Sequence, residues 1–467
     1  MISLPPLARG AEAQFPDTIR ILESLVRIPS YAGGSAPPGA LWESASRVAQ
    51  LLYDVGARDA EIVEAGGGPA VIGQIWLSDA APTVLLYAHH DVQPVADDWS
   101  GDPWEPSIKD GRLYGRGAAD DGAGVALHLA AIRLLGEDLG VNVRFFIEGE
   151  EESGSPTFGE LLRRYRERLA ADVVVIADSE NASVDVPALT SSLRGLTEVT
   201  VTLRIADRAV HSGVFGGPLL DAPVLLARLI ATLHDDDGAV AVAGLEPVPP
   251  VLAPGAPGVL DVPGAPDAAE VPEVPEADFR QRAGAVAGLR LAGRGSLADR
   301  LWWAPAISLI GFDSASVAES SNIIQPVARV RLSLRVPSGM DPTHAQAALT
   351  RHLLEHVGFG AELTVQAGPN GAGFKADTSG PAYIAATRAL SEAFGRPVVF
   401  QGQGGSIPLA AELAAVFPGI EVLLTGVEDP SSRAHAGNES VSLDMLRKAI
   451  VAEALFLEYW RQDRAES

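Results

Sequence analysis

The sequence predicts an α/β protein in which a domain built on a mostly parallel sheet is interrupted by a smaller, ferredoxin-like α+β unit. Three observations carry that expectation. Short apolar runs alternate with apolar helical patterns through the first 195 residues, the strands turn half-exposed and alternating after Arg194-Gly195, and the first style resumes near residue 368. The chain therefore divides into residues 1–195, an inserted unit at 196–367, and a second part of the main domain at 368–467. Insertions of this kind are accepted at exposed loops, where few contacts are broken.

In the first part, residues 18–26 and 41–55 read as helices, and residues 70–76, 83–88, 141–147 and 172–177 as short apolar strands bounded by turn residues. Residues 123–135 form a strongly apolar helix between two of those strands. Parallel strands need a crossover and are covered on both faces, so their runs are apolar throughout. The inserted unit reads as strand 197–205, helix 219–233, strands 306–311 and 328–336, helix 342–357 and strand 362–366, a βαββαβ order. Helices at 380–393 and 409–414, with strands at 398–401 and 421–425, return to the main domain. Residues 235–277 open on three aspartates and continue through Pro, Ala, Gly and Val without one basic residue. They are expected to form a long flexible loop on the inserted unit, a tolerated insertion rather than a working lid.

A chain of 467 residues exceeds one ordinary core. Its formal charge of −25 repels nucleic acid and anionic membrane surfaces and favours a divalent cation. With no cysteine, disulfides and thiolate chemistry are excluded, and metal ligands must come from His, Asp and Glu. No run approaches the roughly 18 apolar residues that span a bilayer. The N-terminus lacks a basic segment followed by an apolar stretch, so cytoplasm is the expected address.

Chemistry concentrates where strands end. Glu148-Gly-Glu-Glu-Glu-Ser-Gly-Ser155 follows an apolar run and sets four carboxylates in five positions, which resist ionising together unless a cation or a proton-transfer task needs them. His89-His90-Asp91 follows another strand, at the end where α/β sheets gather ligands. Gly115-Arg-Gly-Ala-Ala-Asp120-Asp121 precedes the apolar helix; one aspartate serves as its N-cap and the second is oriented elsewhere. Asp178 ends a further strand, and His211 and His435 lie in loops of small residues. His128 lies mid-helix and reads as a packed residue, while His234, His344, His352 and His356 sit on amphipathic helices. Taken jointly, His89, Asp120, Glu151 or Glu152, Asp178 and His435 supply two imidazoles and three carboxylates. That set suits a pair of borderline divalent ions, typically zinc, bridged by one carboxylate and about 3.5–4 Å apart.

These motifs stand in a recognisable order. His89-His-Asp91-Val-Gln-Pro94, the Gly115–Asp121 segment, the Glu148–Ser155 segment, Val175-Ile-Ala-Asp178, His211-Ser-Gly-Val-Phe-Gly-Gly217, Gly404-Gly-Ser-Ile-Pro408 and Ala434-His435 resemble the M20 family of dinuclear zinc peptidases, nearest its nonspecific dipeptidase and carnosinase branch. The resemblance runs from about Ile21 to the C-terminus, the Pro-rich loop excepted. It implies two divalent metal ions per subunit, zinc first, with manganese or cobalt as alternatives. His89 and Asp178 would hold one, Glu152 and His435 the other, and Asp120 would bridge them through a cis peptide to Asp121. Glu151 would be the general base and Asp91 would orient His89. The inserted unit would be a lid and dimerisation domain, with His211 reaching the partner subunit's site to stabilise the oxyanion. Arg335 would clamp the terminal carboxylate of a small peptide substrate, and Asn322 and Ser406 match further substrate contacts.

Gly122 stands where many relatives have lysine, Gln403 where carnosinase-like members have glutamate, and Ala436 where serine commonly follows the last histidine. None is a ligand or the base, so these departures bear on substrate choice. Removal of an N-acetyl or N-succinyl group from an amino acid is the alternative reaction that the same scaffold supports.

Overall fold

The apolar runs assemble into one six-stranded sheet. In the computed structural model of the chain, which describes residues 4–33, 36–95, 98–248, 274–404 and 408–465, its order is Glu61–Val63, Ala70–Ile75, Asn142–Glu148, Thr83–His89, Val173–Ile176 and Glu421–Leu424. The last four pair in parallel, and the first two join by antiparallel ladders. Alternate side chains along each strand serve opposite faces. Val84, Leu86, Phe145 and Val175 pack with the helices Leu4–Val26, Gly122–Leu135, Pro381–Phe394 and Leu443–Ala465. Leu85, Tyr87, Phe146 and Val174 pack instead with Phe158–Arg164 and Pro408–Val416. Cover on both faces is why these strands carry no polar alternation.

The Leu443–Ala465 helix was not expected from the alternation of strands and helices. It packs along Gly122–Leu135 and Pro381–Phe394 and buries Leu446, Ile450, Leu455 and Trp460. It also carries Glu453, whose carboxylate meets His128 Nδ1 at 2.9 Å deep in the core. The imidazole Nε2 of His128 lies 2.9 Å from the Tyr87 carbonyl, so both ring nitrogens are engaged and the residue is structural.

The inserted unit has the strand order Ala306–Asp313, Val327–Val336, Gly195–Arg204, Glu362–Gly371, antiparallel throughout. Helices Ala222–Ala231 and Pro342–His356 cover one face through Leu226, Leu229, Leu349 and Leu353. Ala306–Asp313 is an edge strand, and its Leu309, Ile310 and Phe312 are 46%, 52% and 40% exposed.

The stretch 235–277, expected to form a long flexible loop, is described at its two ends. Asp235 accepts hydrogen bonds from the amides of Asp237 and Ala239 and pairs with Arg294, which builds residues 235–240 into an ordered turn. At the other end Glu276 begins the helix Glu276–Arg282, and Arg282 pairs with Glu180 of the main domain at 2.7 Å. The middle of the stretch lies outside the described residues. Among the described residues no helix is long and apolar enough to cross a membrane.

Trp460 is fully buried where the C-terminal helix closes the core. Trp460→Ala is expected to cost about 3–5 kcal/mol, read as a lower urea midpoint for loss of helical circular dichroism.

Candidate metal centre

The candidate ligands converge beyond the C-terminal ends of the parallel strands. His89 is the last residue of Thr83–His89 and stands in register with Glu148 on the adjacent strand. Asp178 follows Val173–Ile176 by two residues. The two aspartates before the Gly122–Leu135 helix divide their work. Asp121 is the N-cap, accepting the Gly124 amide at 3.1 Å through Oδ1 and the His89 amide at 3.1 Å through Oδ2. The Asp120–Asp121 peptide is cis, and the Asp120 carboxylate faces the imidazoles. His89 Nε2 lies 3.0 Å from Asp120 Oδ1, and His435 Nε2 lies 2.9 Å from Asp120 Oδ2. Asp178 Oδ2 is 3.9 Å from His89 Nε2, and Glu152 Oε2 is 3.1 Å from His435 Nε2.

Two donor triads result, His89–Asp120–Asp178 and Asp120–Glu152–His435, each with its ligand atoms within 4.8 Å of one another. They share Asp120 and use a different oxygen of it for each imidazole, as a bridging carboxylate requires. One imidazole and two carboxylates per triad suit a divalent ion of the zinc class. Glu151 belongs to neither triad. It opens the short 3₁₀ turn Glu151–Ser153 beside them.

Asp91 touches both the imidazole and the glutamate turn. His89 Nδ1 is 2.9 Å from the main-chain oxygen of Asp91 and 3.4 Å from its carboxylate. The carboxylate also accepts the amides of Glu151 and Glu152, at 3.2 and 3.1 Å. Asp91 thus bears on the imidazole and, through its side chain, on the glutamate turn. Glu150 holds the same turn from outside by accepting the Gly68 and Thr157 amides, and Glu148 accepts the Tyr87 hydroxyl at 2.7 Å.

Sequence reasoning passed over three supporting residues. Glu439 is fully buried and accepts the amides of Gly117, Ala119 and Asp120, together with the Arg116 guanidinium at 2.7 Å. It fixes the loop that presents Asp120, and its only sequence signal was a carboxylate four residues after His435 in a loop of small residues. Gln93 donates to Glu152 Oε2 at 2.7 Å. Arg194, at the junction with the inserted unit, donates to the Gly404 carbonyl at 3.2 Å.

Among the described residues, the predicted substrate contacts His211, Asn322 and Arg335 belong to neither triad. His211 is exposed on the inserted unit, pairs with Ile323 in a two-residue ladder, and accepts the Gly213 amide at Nδ1. Asn322 adjoins it, since the Ser212 amide donates to the Asn322 carbonyl. Neither is among the residues gathered around Asp120. Arg335 is half-buried on Val327–Val336, in register with Leu196 and Ala306. Ser406 lies outside the described residues. Of the departures, Gly122 is buried against Gly117, whose carbonyl would lie 2.5 Å from an added Cβ. Gln403 ends the strand Val399–Gln403, and Ala436 follows His435 in a loop where Arg433, His435 and Asn438 all take left-handed φ.

Burial and close spacing reshape the charges of the cluster. Burial and the neighbouring Asp178 push the Glu151 carboxyl up to about 9, and burial pushes Asp178 up to about 7. Hydrogen bonds from His435 and His89 overcome burial at Asp120 and hold it below the ordinary carboxylate range. Bonds to Asp120 and Glu152 lift His435 to about 11. Protons on imidazoles and carboxyls here supply positive charge that cations would otherwise provide.

A pH dependence follows. The folded chain keeps the His435 proton from its unfolded value of 6.5 up to about 11, and the Glu151 proton from 4.5 up to about 9. Over those ranges the folded state binds more protons than the unfolded state, so its stability falls as pH rises. Metal-stripped protein is therefore expected to lose Tm steadily from about pH 5 to pH 9. Saturating zinc should raise Tm and flatten that slope, as scanning fluorimetry across a buffer series would record.

Comparison with known proteins agrees with this architecture. The chain is 33% identical over 455 residues to a cysteinylglycine-S-conjugate dipeptidase of Corynebacterium striatum, covering 95% of this chain and 96% of that one. It is 29% identical over 408 residues to a beta-Ala-His dipeptidase of Rattus norvegicus, covering 84% and 80%. Among solved structures, the dipeptidase Dug1p of Saccharomyces cerevisiae shares the fold with a TM-score of 0.80 at 21% identity, over 98% of this chain and 99% of that chain. A profile described as Peptidase family M20/M25/M40 matches residues 85–459. With that match spanning most of its length, the chain belongs to peptidase family M20/M25/M40.

Proposed function

We propose that this protein hydrolyses dipeptides or short peptides at a dinuclear metal site, zinc being the metal best suited to the donors, with Glu151 as general base. The carrying observation is the shared Asp120 between two triads, with a glutamate beside them that neither triad uses. The relatives named above cleave dipeptides by their names, which supports the substrate class.

Divalent ions bound at the triads would supply Lewis acidity, acidifying water and drawing charge from a carbonyl oxygen. His89 and Asp178 would hold one, Glu152 and His435 the other, with Asp120 common to both groups. Glu151 takes the proton of the attacking water and passes it to the leaving amine nitrogen. Asp91 keeps Glu151 on target through the two turn amides. Arg335 receives the terminal carboxylate of the peptide, for which a guanidinium fork is suited.

Residues 196–367 act as a lid and as the dimerisation unit. Two features favour this: the apolar edge strand Ala306–Asp313, a template for pairing with a second copy, and the exposed pair His211 and Asn322, which this chain's own triads leave unused. In the homodimer His211 stabilises the oxyanion in the partner's site.

A panel of dipeptides beside N-acetyl and N-succinyl amino acids, run on metal-defined protein, tests the reading. Preferential turnover of the acyl amino acids would replace it with deacylation. Glu151→Ala should retain two metals by elemental analysis while kcat falls on the order of a thousandfold. Asp120→Ala should lose metal along with activity. His211→Ala should also depress kcat, with recovery in mixed dimers with Glu151→Ala, where one site per dimer keeps both groups. Absence of recovery would exclude the exchange of His211 between subunits.

A further inference from the structure

The loop after Glu421–Leu424 runs on beside the end of Val173–Ile176, the strand that leads to Asp178. The Thr425 amide donates to the Ile176 carbonyl at 2.9 Å, and Glu428 bridges Glu180 in the same parallel sense. Gly426 permits the approach, since an added Cβ there would come within 2.3 Å of the Ser179 carbonyl. Asn181 fixes the backbone of Glu428: its amide donates to the Glu428 carbonyl at 2.7 Å, and its Nδ2 to the same oxygen at 3.3 Å. Glu428 is thus carried to the end of the sheet where the triads lie.

The acids around it are all engaged. Glu180 pairs with Arg282, Asp429 with Arg112 and Glu439 with Arg116, at 2.7, 2.8 and 2.7 Å. Asp120 and Asp178 face imidazoles. The Glu428 carboxylate is left over: among the described residues no hydrogen-bond donor or cation reaches it, although the residue is only partly exposed. Burial, and then the charges of Asp120, Asp178, Glu180 and Glu439, push its carboxyl well above the usual range. A carboxylate kept in such a field without a partner is costly, and it invites a cation that comes and goes. A divalent ion would need further ligands. Glu428 belongs to neither triad and joins no third group of ligand atoms among the described residues. A single carboxylate suits an ammonium group.

We propose that Glu428 receives the free ammonium group of the substrate and so selects dipeptides over N-acyl amino acids, an assignment that rests on the dipeptidase reading. The ammonium of a dipeptide sits one carbon from the carbonyl that is attacked, so its partner has to stand beside the triads, as Glu428 does. With Asp120 and Asp178 committed to cations, the push on Glu428 weakens, and the arriving ammonium supplies the remaining counter-charge. An uncharged acyl chain in the same place leaves Glu428 unpaired, which is how a polar site rejects an analogue lacking the group it binds.

Propionyl-Ala is Ala-Ala with the ammonium replaced by hydrogen, so the two compounds isolate this contact on zinc-loaded, full-length protein. Glu428→Gln keeps the shape of the side chain and removes its charge. It should raise KM for Ala-Ala on the order of tenfold or more, the loss typical of a charge-assisted hydrogen bond. Its kcat should stay within a few-fold and its zinc content by elemental analysis should be unchanged. For propionyl-Ala, kcat/KM, or Ki where it is not cleaved, should hardly change. In a Glu151→Ala background, the calorimetric Kd for Ala-Ala should rise by the same factor when Glu428→Gln is added. Equal losses on both compounds would show a structural role, and loss of zinc a metal-holding one; either overturns the proposal. If Glu428→Gln does not fold, Glu428→Asp decides, an unaltered preference for Ala-Ala over propionyl-Ala overturning it. Wild type that turns over Ala-Ala with a KM that Glu428→Gln leaves unchanged would defeat this assignment alone. Zinc-loaded wild type that cleaves neither compound would defeat the dipeptidase reading, and the assignment with it.

Discussion

The Asp120 carboxylate has to be reached from opposite sides by imidazoles that lie far apart in sequence. His89 arrives on a central strand, and His435 arrives on a loop near the C-terminus. Much of the main domain serves that meeting. Parallel strands bring Glu148, His89 and Asp178 to one end of the sheet, where the helix cap Asp121 ties the His89 amide to the turn that carries Asp120. The crowding of carboxylates is tolerable only because positive charge, whether protons or cations, sits among them.

Precision comes from a second layer of buried acids that accept backbone amides. Glu439 holds three amides of the Asp120 loop, Asp91 two of the glutamate turn, and Glu150 two on that turn's outer side. An amide held by a carboxylate cannot drift without leaving a buried charge short of donors, which costs more than the bond gains. The ligands therefore stand on turns that are as constrained as the strands they leave.

Strand and helix positions were legible because parallel strands are uniformly apolar and punctuated by turns, and the five residues of the triads were legible because they follow that punctuation. Other features had no such signature. The C-terminal helix interleaves buried Glu453 and Glu458 with its apolar positions, which blurs its core face. Glu439 and the side chain of Asp91 act on backbone amides, and no residue pattern encodes an amide's need for an acceptor. Arg194 reads as a boundary residue beside glycine, and its significance emerges only from what surrounds it after folding. His211 and Asn322 were legible only through the resemblance, and among the described residues neither joins the triads.

The junction of the two units has a geometric consequence. Gly195 leads into the inserted unit, and Gly371 and Gly373 stand on the way out. An added Cβ at Gly195 would come within 2.6 Å of the Gly371 carbonyl and 2.7 Å of the Gly373 amide. One at Gly373 would reach the Leu193 carbonyl at 2.8 Å. The outgoing and returning chains thus touch backbone to backbone, and side chains there would force them apart. The two covalent connections of the inserted unit therefore run side by side, and the unit meets the main domain again through the Arg282–Glu180 pair and through Trp302 against Gly402. In evolutionary terms such a unit is a cassette: its two ends already meet, and a short turn could close the main domain over the place it left.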